Sequence, residues 1–132
     1  MESVVRKLRL KHDRALAMGA PDELLPLITA FGDAGTVVDA APAGTYGFAI
    51  GFVKSMAEAR EVAPVLAKAI EGDGLLWLAY PKGTSKRYKV DINRDTSWDV
   101  LAPLGFVPVA NVAIDEDWSA MRFRKKEYSK SS

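Results

Sequence analysis

The chain has 132 residues, 48% hydrophobic and 27% charged, with a formal net charge of +1. This predicts one soluble domain over residues 1–132 with a core of its own, and it excludes the global basic footprint of a nucleic-acid-binding protein. There is no cysteine, which excludes disulfides, thiol nucleophiles and zinc–thiolate centres together and fits a reducing, cytoplasmic location.

The first segment, "MESVVRKLRLKHD", is too charged for a secretory signal. No apolar run approaches the ~20 residues of a membrane helix, so no membrane partner is expected. Val4, Val5 and Leu8 are spaced for a short amphipathic helix. "RALAMGAP" reads as a buried strand with Leu16 and Met18 on one face and Ala15 and Ala17 on the other. "PDELLPLITAF" predicts a helix beginning near Asp22, with acids in its first turn, Pro26 tolerated there, and Gly32 and Gly35 at its end.

"TVVDA" is a short β-type segment, followed by the loop "APAGT" and a strand over about Tyr46–Val53. "SMAEAREVAPVLAKAIEG" is the clearest helix. Ser55 and Glu58 form a capping box, Val62, Val65, Leu66 and Ala69 recur at helical spacing, Pro64 bends it, and Gly72 lies past its end. "GLLWLAYP" is nearly all apolar, the pattern of a strand covered on both faces. "TSWDVLAPLG" is a short helix capped by Thr96 or Ser97 and stopped by Gly105. "FVPVANVAID" and "WSAMRFRK" are two strands of a hairpin turning at Asp115–Glu116–Asp117, and residues 126–132 form a frayed basic tail.

This alternation predicts an α/β fold of three layers, a mostly parallel Rossmann-like sheet with a C-terminal antiparallel β-hairpin. Parallel neighbours need a crossover of a dozen residues or so. The link from "TVVDA" to "YGFAIGFV" is far shorter, so Thr36–Ala40 is expected to be antiparallel or merely extended at an edge.

The stretch "YPKGTSKRYKVDINRD", Tyr80 to Asp95, carries five basic side chains against two acids. It leaves the carboxyl end of the Trp77 strand, where open α/β sheets bind ligands. The turns at Gly19 and Lys54 leave the same edge. Lys54, Lys82, Thr84, Ser85, Lys86 and Arg94 are therefore the candidate binding residues. Lysine ammonium groups, hydroxyls and free loop N–H groups are the donors a phosphate or carboxylate needs. A solvated polar loop is the alternative.

Three blocks, "LLWLAYPKGTSK", "DINRD" and "GFVPVANVAIDEDWSAMRFR", resemble the domain of unknown function 3052 family of small bacterial proteins. The resemblance runs from about Gly44 to Arg124, with "PKGTSK" and "DEDWSAMRFR" its specific parts. It implies a compact cytoplasmic α/β domain and brings no catalytic residues. The layout also resembles a trimmed S-adenosylmethionine-dependent methyltransferase sheet, which likewise ends in an antiparallel pair. That likeness implies S-adenosylmethionine as cofactor, with Gly19 at the turn and Asp39, 20 residues later, reaching ribose hydroxyls. The chain departs from it in two places. "MGAPDE" has a single glycine where a G-x-G turn belongs, and Asp39 to Tyr46 is too short for a further strand and helix.

Other chemistry has thinner support. His12 is the one histidine and lies in a charged segment, more typical of a surface residue than of a general base. Ser85 and Ser119 lack a nucleophile elbow. Successive acids at 115–117 point apart, so no metal site is predicted and a solvated hairpin turn is expected; a cross-strand pair from Asp115 to Arg122 is a further use open to that turn. Arg122 and Arg124 alternate with Met121 and Phe123, giving one basic face on a possible edge strand; the minority reading of that face is a nucleic-acid or phosphate contact with Trp118 as a stacking platform.

The first expectation is a noncatalytic binding domain for a small anionic ligand, requiring no cofactor, as monomer or homodimer. The alternatives are a divergent or vestigial methyltransferase-like enzyme and an RNA- or protein-binding module. Catalytic residues are not assignable from the sequence.

Overall fold

The computed structural model describes residues 1–129. In chain order the elements are α1 (Glu2–Lys7), β1 (Arg14–Met18), a 3-10 turn (Asp22–Leu24) leading into α2 (Leu25–Asp33), β2 (Val37–Asp39), β3 (Tyr46–Phe52), α3 (Met56–Ala69), β4 (Ile70–Pro81), α4 (Arg94–Leu101), β5 (Phe106–Ala113) and β6 (Trp118–Lys125). One six-stranded sheet runs β2-β1-β3-β4-β6-β5. β1 to β4 are parallel, and β6 runs antiparallel to both β4 and β5. This is the expected mixed Rossmann-like sheet.

The two-residue period of the strands sorts the core into two layers. On one face Ala15, Ala17, Phe48, Ile50, Trp77 and Trp118 pack under Val4, Val5, Leu27 and Phe31 of α1 and α2. On the other, Leu16, Ala49, Leu76, Leu78 and Phe123 pack under Met56, Ala59, Ala63 and Leu66 of α3 and Leu101 of α4. The division of Leu16 from Ala15 and Ala17 follows the predicted alternation. Trp77 is 1% exposed, and its indole N–H donates to the Leu8 carbonyl at 3.1 Å, which fastens the end of α1 to the middle of the sheet.

Five local expectations are corrected. First, β2 is parallel. It neighbours β1, not β3, so its crossover is α2; Asp39 and Ala49 both lie level with Leu16. Residues 40–45 need only step back about three strand positions and across one strand. Six residues, with a reach of roughly 20 Å, suffice because β2 is only three residues long.

Second, no loop separates α3 from β4. Ile70 is already extended, and the extra length bulges out: Tyr46 pairs with Ile70 but Phe48 with Leu75, with Gly72 at φ 52° inside the bulge. Third, Asn93 caps α4, in place of Thr96 or Ser97. Its Oδ1 accepts from the N–H groups of Asp95 and Thr96, both at 2.9 Å, while Thr96 Oγ1 accepts from Asn93 N–H at 2.8 Å. On α3, Ser55 Oγ does accept from Glu58 N–H, but Glu58 turns to the N–H of Lys54.

Fourth, Asp115 serves its own turn. Its Oδ1 accepts from the N–H groups of Asp117 and Trp118, both at 2.8 Å, and it does not reach Arg122. The arginines stand on an interior strand, since β5 holds the edge. Fifth, the tail is ordered further than expected. Lys126–Tyr128 form a 3-10 turn, with Lys126 N–H on the Gly105 carbonyl at 2.8 Å. The remainder of the expected frayed tail, 130–132, lies outside the described residues.

Candidate functional site

The carboxyl ends of β1, β3 and β4 and the hairpin turn before β6 share one edge of the sheet. Residues 82–93 leave β4 there and cross the mouth. Tyr88 joins the layer under α1 and α2, whereas Val90 and Ile92 join the layer under α3 and α4. Two polar contacts set this path. Lys82 N–H donates to the Asp117 carbonyl at 2.7 Å, and Ser85 Oγ donates to the Asp117 carboxylate at 2.7 Å. Farther along, Asp91 Oδ1 accepts from Met56 N–H at 2.8 Å, so the start of α3 already has a carboxylate on it.

The centre of the mouth is Glu23. Its carboxylate accepts from the Tyr88 hydroxyl and from Trp118 Nε1 at 3.3 Å, and lies 3.6 Å from Arg87. Burial pushes the Glu23 carboxyl upward. Hydrogen bonds from Tyr88, its own backbone N–H and Trp118, with the Arg87 charge, more than reverse this, and its pKa lies below the ordinary value. Burial and then the same contact raise the Tyr88 phenol. Tyr88 meets Trp118 edge-on at 5.6 Å, and Lys54 Nζ lies 5.3 Å from the Tyr88 ring centroid.

Of the candidate residues, Lys54 is thus held against the 82–89 loop. Ser85 is engaged by Asp117 and by the N–H groups of Arg87 and Tyr88. Lys82, Thr84 and Lys86 lie on the outward part of the loop, and neither lysine has an ion pair among the described residues. Arg94 is not with them. It is the first residue of α4 and lines a separate groove with Trp98, Pro108 and Asn111.

Gly19 is constrained by its own sheet. Its φ is 75°, and a Cβ there would sit 2.8 Å from the Phe52 carbonyl oxygen, so the glycine lets β1 end against β3. Asp39 stands at the end of β2, where its carboxylate accepts from the Tyr46 hydroxyl at 2.6 Å and lies 3.8 Å from Arg14. That hydrogen bond, together with burial, raises the Tyr46 phenol. Trp118 is fully buried, which removes it as a stacking platform. Sequence reasoning missed Glu23, Tyr88 and Asp117. The contacts of Tyr88 and Trp118 with Glu23 span 65 and 95 residues, and no local spacing signals them.

A similar fold recurs in solved structures. The N-methyltransferase NodS from Bradyrhizobium japonicum WM9 matches with a TM-score of 0.59 at 17% identity, over 94% of this chain and 93% of that one. The chain has a methyltransferase-like fold. A SAM dependent methyltransferase from Aquifex aeolicus matches with a TM-score of 0.58 at 11% identity, over 92% and 87% of the two chains. The glycopeptide N-methyltransferase MtfA, solved with sinefungin, matches at 0.57 and 10% identity, over 93% and 84%. NodS has also been solved with S-adenosyl-l-homocysteine. At such identities the methyltransferase-like fold is what is shared. No protein-family model matches the sequence, and no curated protein matches it.

Proposed function

We propose that the chain is a cytoplasmic, noncatalytic binding domain of the domain of unknown function 3052 kind, which takes a small phosphate- or carboxylate-bearing ligand on the 82–89 loop. One observation carries this reading. "KGTSKRYK" has four cations and no acid, and the contacts of Ser85 with Asp117 and of Tyr88 with Glu23 tie it to the hairpin turn and to the turn after β1. Arg87 is drawn to Glu23, which leaves Lys82, Lys86 and Lys89 without an ion pair among the described residues and able to meet an anion.

The methyltransferase-like alternative has support in the fold and in the placing of Gly19 and Asp39 at one edge. Against it stand the commitment of Asp39 to Tyr46 and Arg14 and the filling of the mouth by Tyr88. S-adenosylmethionine binding requires both to give way.

Titrating the protein with phosphate, citrate and S-adenosyl-l-homocysteine, followed by amide NMR shifts, separates the two. The binding-domain reading expects shifts at 82–89 with phosphate or citrate, abolished by Lys82→Ala/Lys86→Ala without loss of folding. Tight binding of S-adenosyl-l-homocysteine at Gly19 and Asp39 would replace it with the enzyme reading.

A further inference from the structure

On the face of the sheet covered by α1, Arg122 and Arg124 stand next to Trp77, and Arg9 follows at the end of α1. Arg122 is paired across the sheet with Trp77 on one side and Ala110 on the other. Arg124 is two residues farther on the same face and makes a two-pronged pair with Asp73, at 2.8 and 2.6 Å. Arg9 follows Leu8, whose carbonyl holds the Trp77 indole. Arg9 and Arg124 both act on Arg122 as like charges, and the carboxylate acting on it is Asp73.

Two features of this cluster have no explanation among the described residues. The Arg122 guanidinium makes no hydrogen bond or ion pair among the described residues, and its Nε is covered by protein. A half-buried guanidinium with five donors and no acceptor is costly, and the nearest carboxylate is already taken by Arg124. Arg9 is the other feature. It is the one non-glycine at positive φ among the described residues, at 62°. It closes α1 in a Schellman-type turn: Leu10 N–H reaches the Val5 carbonyl at 3.3 Å and Arg9 N–H the Arg6 carbonyl at 3.0 Å. Glycine fills such a position at least cost. An arginine there is understandable if its side chain has a use.

We propose that Arg9, Arg122 and Arg124 form a receptor for a phosphate group, distinct from the 82–89 loop. A carboxylate is satisfied by one guanidinium, as Asp73 is by Arg124. A phosphate dianion has enough acceptor oxygens to be shared between the outer nitrogens of Arg122 and those of Arg9, with Arg124 fixed alongside by Asp73. Charge points the same way: Arg122, Arg124 and Lys125 all act on Asp73, and Arg9 adds a further like charge at Arg122. The buried Nε leaves the Nη end of Arg122 as the part an incoming anion meets.

The test follows the arginine Nε–H signals by NMR while inorganic phosphate is added at constant ionic strength. Saturable shifts at Arg9, Arg122 and Arg124 are expected. Arg9→Gly and Arg122→Leu should each weaken binding by about tenfold, the loss of one charge-assisted contact, without lowering the thermal midpoint. Lys82→Ala/Lys86→Ala should leave affinity at this site unchanged, so failure here is separate from failure at the loop. Adenosine 5′-monophosphate competing at the same signals would assign the site to a phosphomonoester on a larger molecule; phosphate binding alone would assign it to the free ion. Either outcome supports the receptor. Absence of saturation with phosphate, including the case where only a single-stranded RNA binds, overturns it. So does an unchanged affinity in Arg9→Gly, the variant that decides should Arg122→Leu fail to fold.

Discussion

The hydroxyl of Tyr88 donates to the carboxylate of Glu23, and that bond joins the turn after β1 to the loop after β4. It closes the part of the sheet edge where an open α/β fold keeps its ligand crevice. Tyr88→Phe keeps the ring against Trp118 but leaves Glu23 short of a donor. A loss of about 1.5–3 kcal/mol is expected in urea unfolding, the range for a hydrogen bond to a charged group. An unchanged midpoint would mean that water replaces the hydroxyl without cost, and that the loop is not latched.

The same carboxylate gives a pH dependence. The folded pKa of Glu23 is below its ordinary value of 4.5. The stability it contributes is present above 4.5 and is lost as pH falls through the lower folded value. Glu23→Gln should therefore flatten the acid limb of the stability curve below about pH 4.5. A weaker slope should persist from Asp73, which the Arg124 hydrogen bond also holds low. Parallel acid limbs in the wild type and Glu23→Gln would remove the carboxylate from the network.

Two glycines should respond oppositely to alanine. Gly19→Ala forces a Cβ to 2.8 Å from a backbone oxygen at φ 75°, and a loss of about 2 kcal/mol or more is expected. Gly32 lies inside α2 with nothing within 4 Å of a built Cβ, so Gly32→Ala should stabilise by about 0.5–1 kcal/mol. Thermal midpoints of the two variants are the readout. A neutral Gly19→Ala would undo the packing account of that turn and reopen a ligand-based one.

Asn93→Ala removes the cap that satisfies two N–H groups at the start of α4. The expected cost is about 1 kcal/mol, with faster amide exchange confined to the first turn of α4. Thr96→Ala should cost less, since it removes only the returning contact to Asn93 N–H. Equal costs would mean that Thr96 anchors the turn through the Asp91 carbonyl, 3.4 Å away, as much as through the cap.

Much of the architecture was legible because it is written in local periodicity. The alternation at 15–18, the helical spacing from Val62 to Ala69, and the apolar run at Trp77 each report which side of a segment is buried, and burial depends on residues a few positions apart. The boundary errors have one cause: capping and turn preferences are weak beside tertiary packing. Asn93 rather than Thr96 caps α4 by a difference of three residues, and α3 passes into β4 directly because the bulge at Gly72 absorbs the slack. The crossover rule, applied to β3 as the successor of β2 in sequence, gives the wrong direction for β2. Its neighbour in space is β1.

The candidate site was legible only as a charge pattern. Lys82 and Lys86 stand out in any reading of "KGTSKRYK", but Glu23 is an unremarked helix-start acid until Tyr88 reaches it. Composition and spacing alone determined the layers of the fold, the covered strand at its centre and the basic loop at its carboxyl edge. Only the tertiary structure decided that Asp39 is spent on Tyr46, that Tyr88 fills the mouth, and that Arg9 stands with Arg122 and Arg124. A hydrogen bond requires a few ångströms of proximity, and proximity between residues 65 positions apart is set by strand order, which no local pattern encodes.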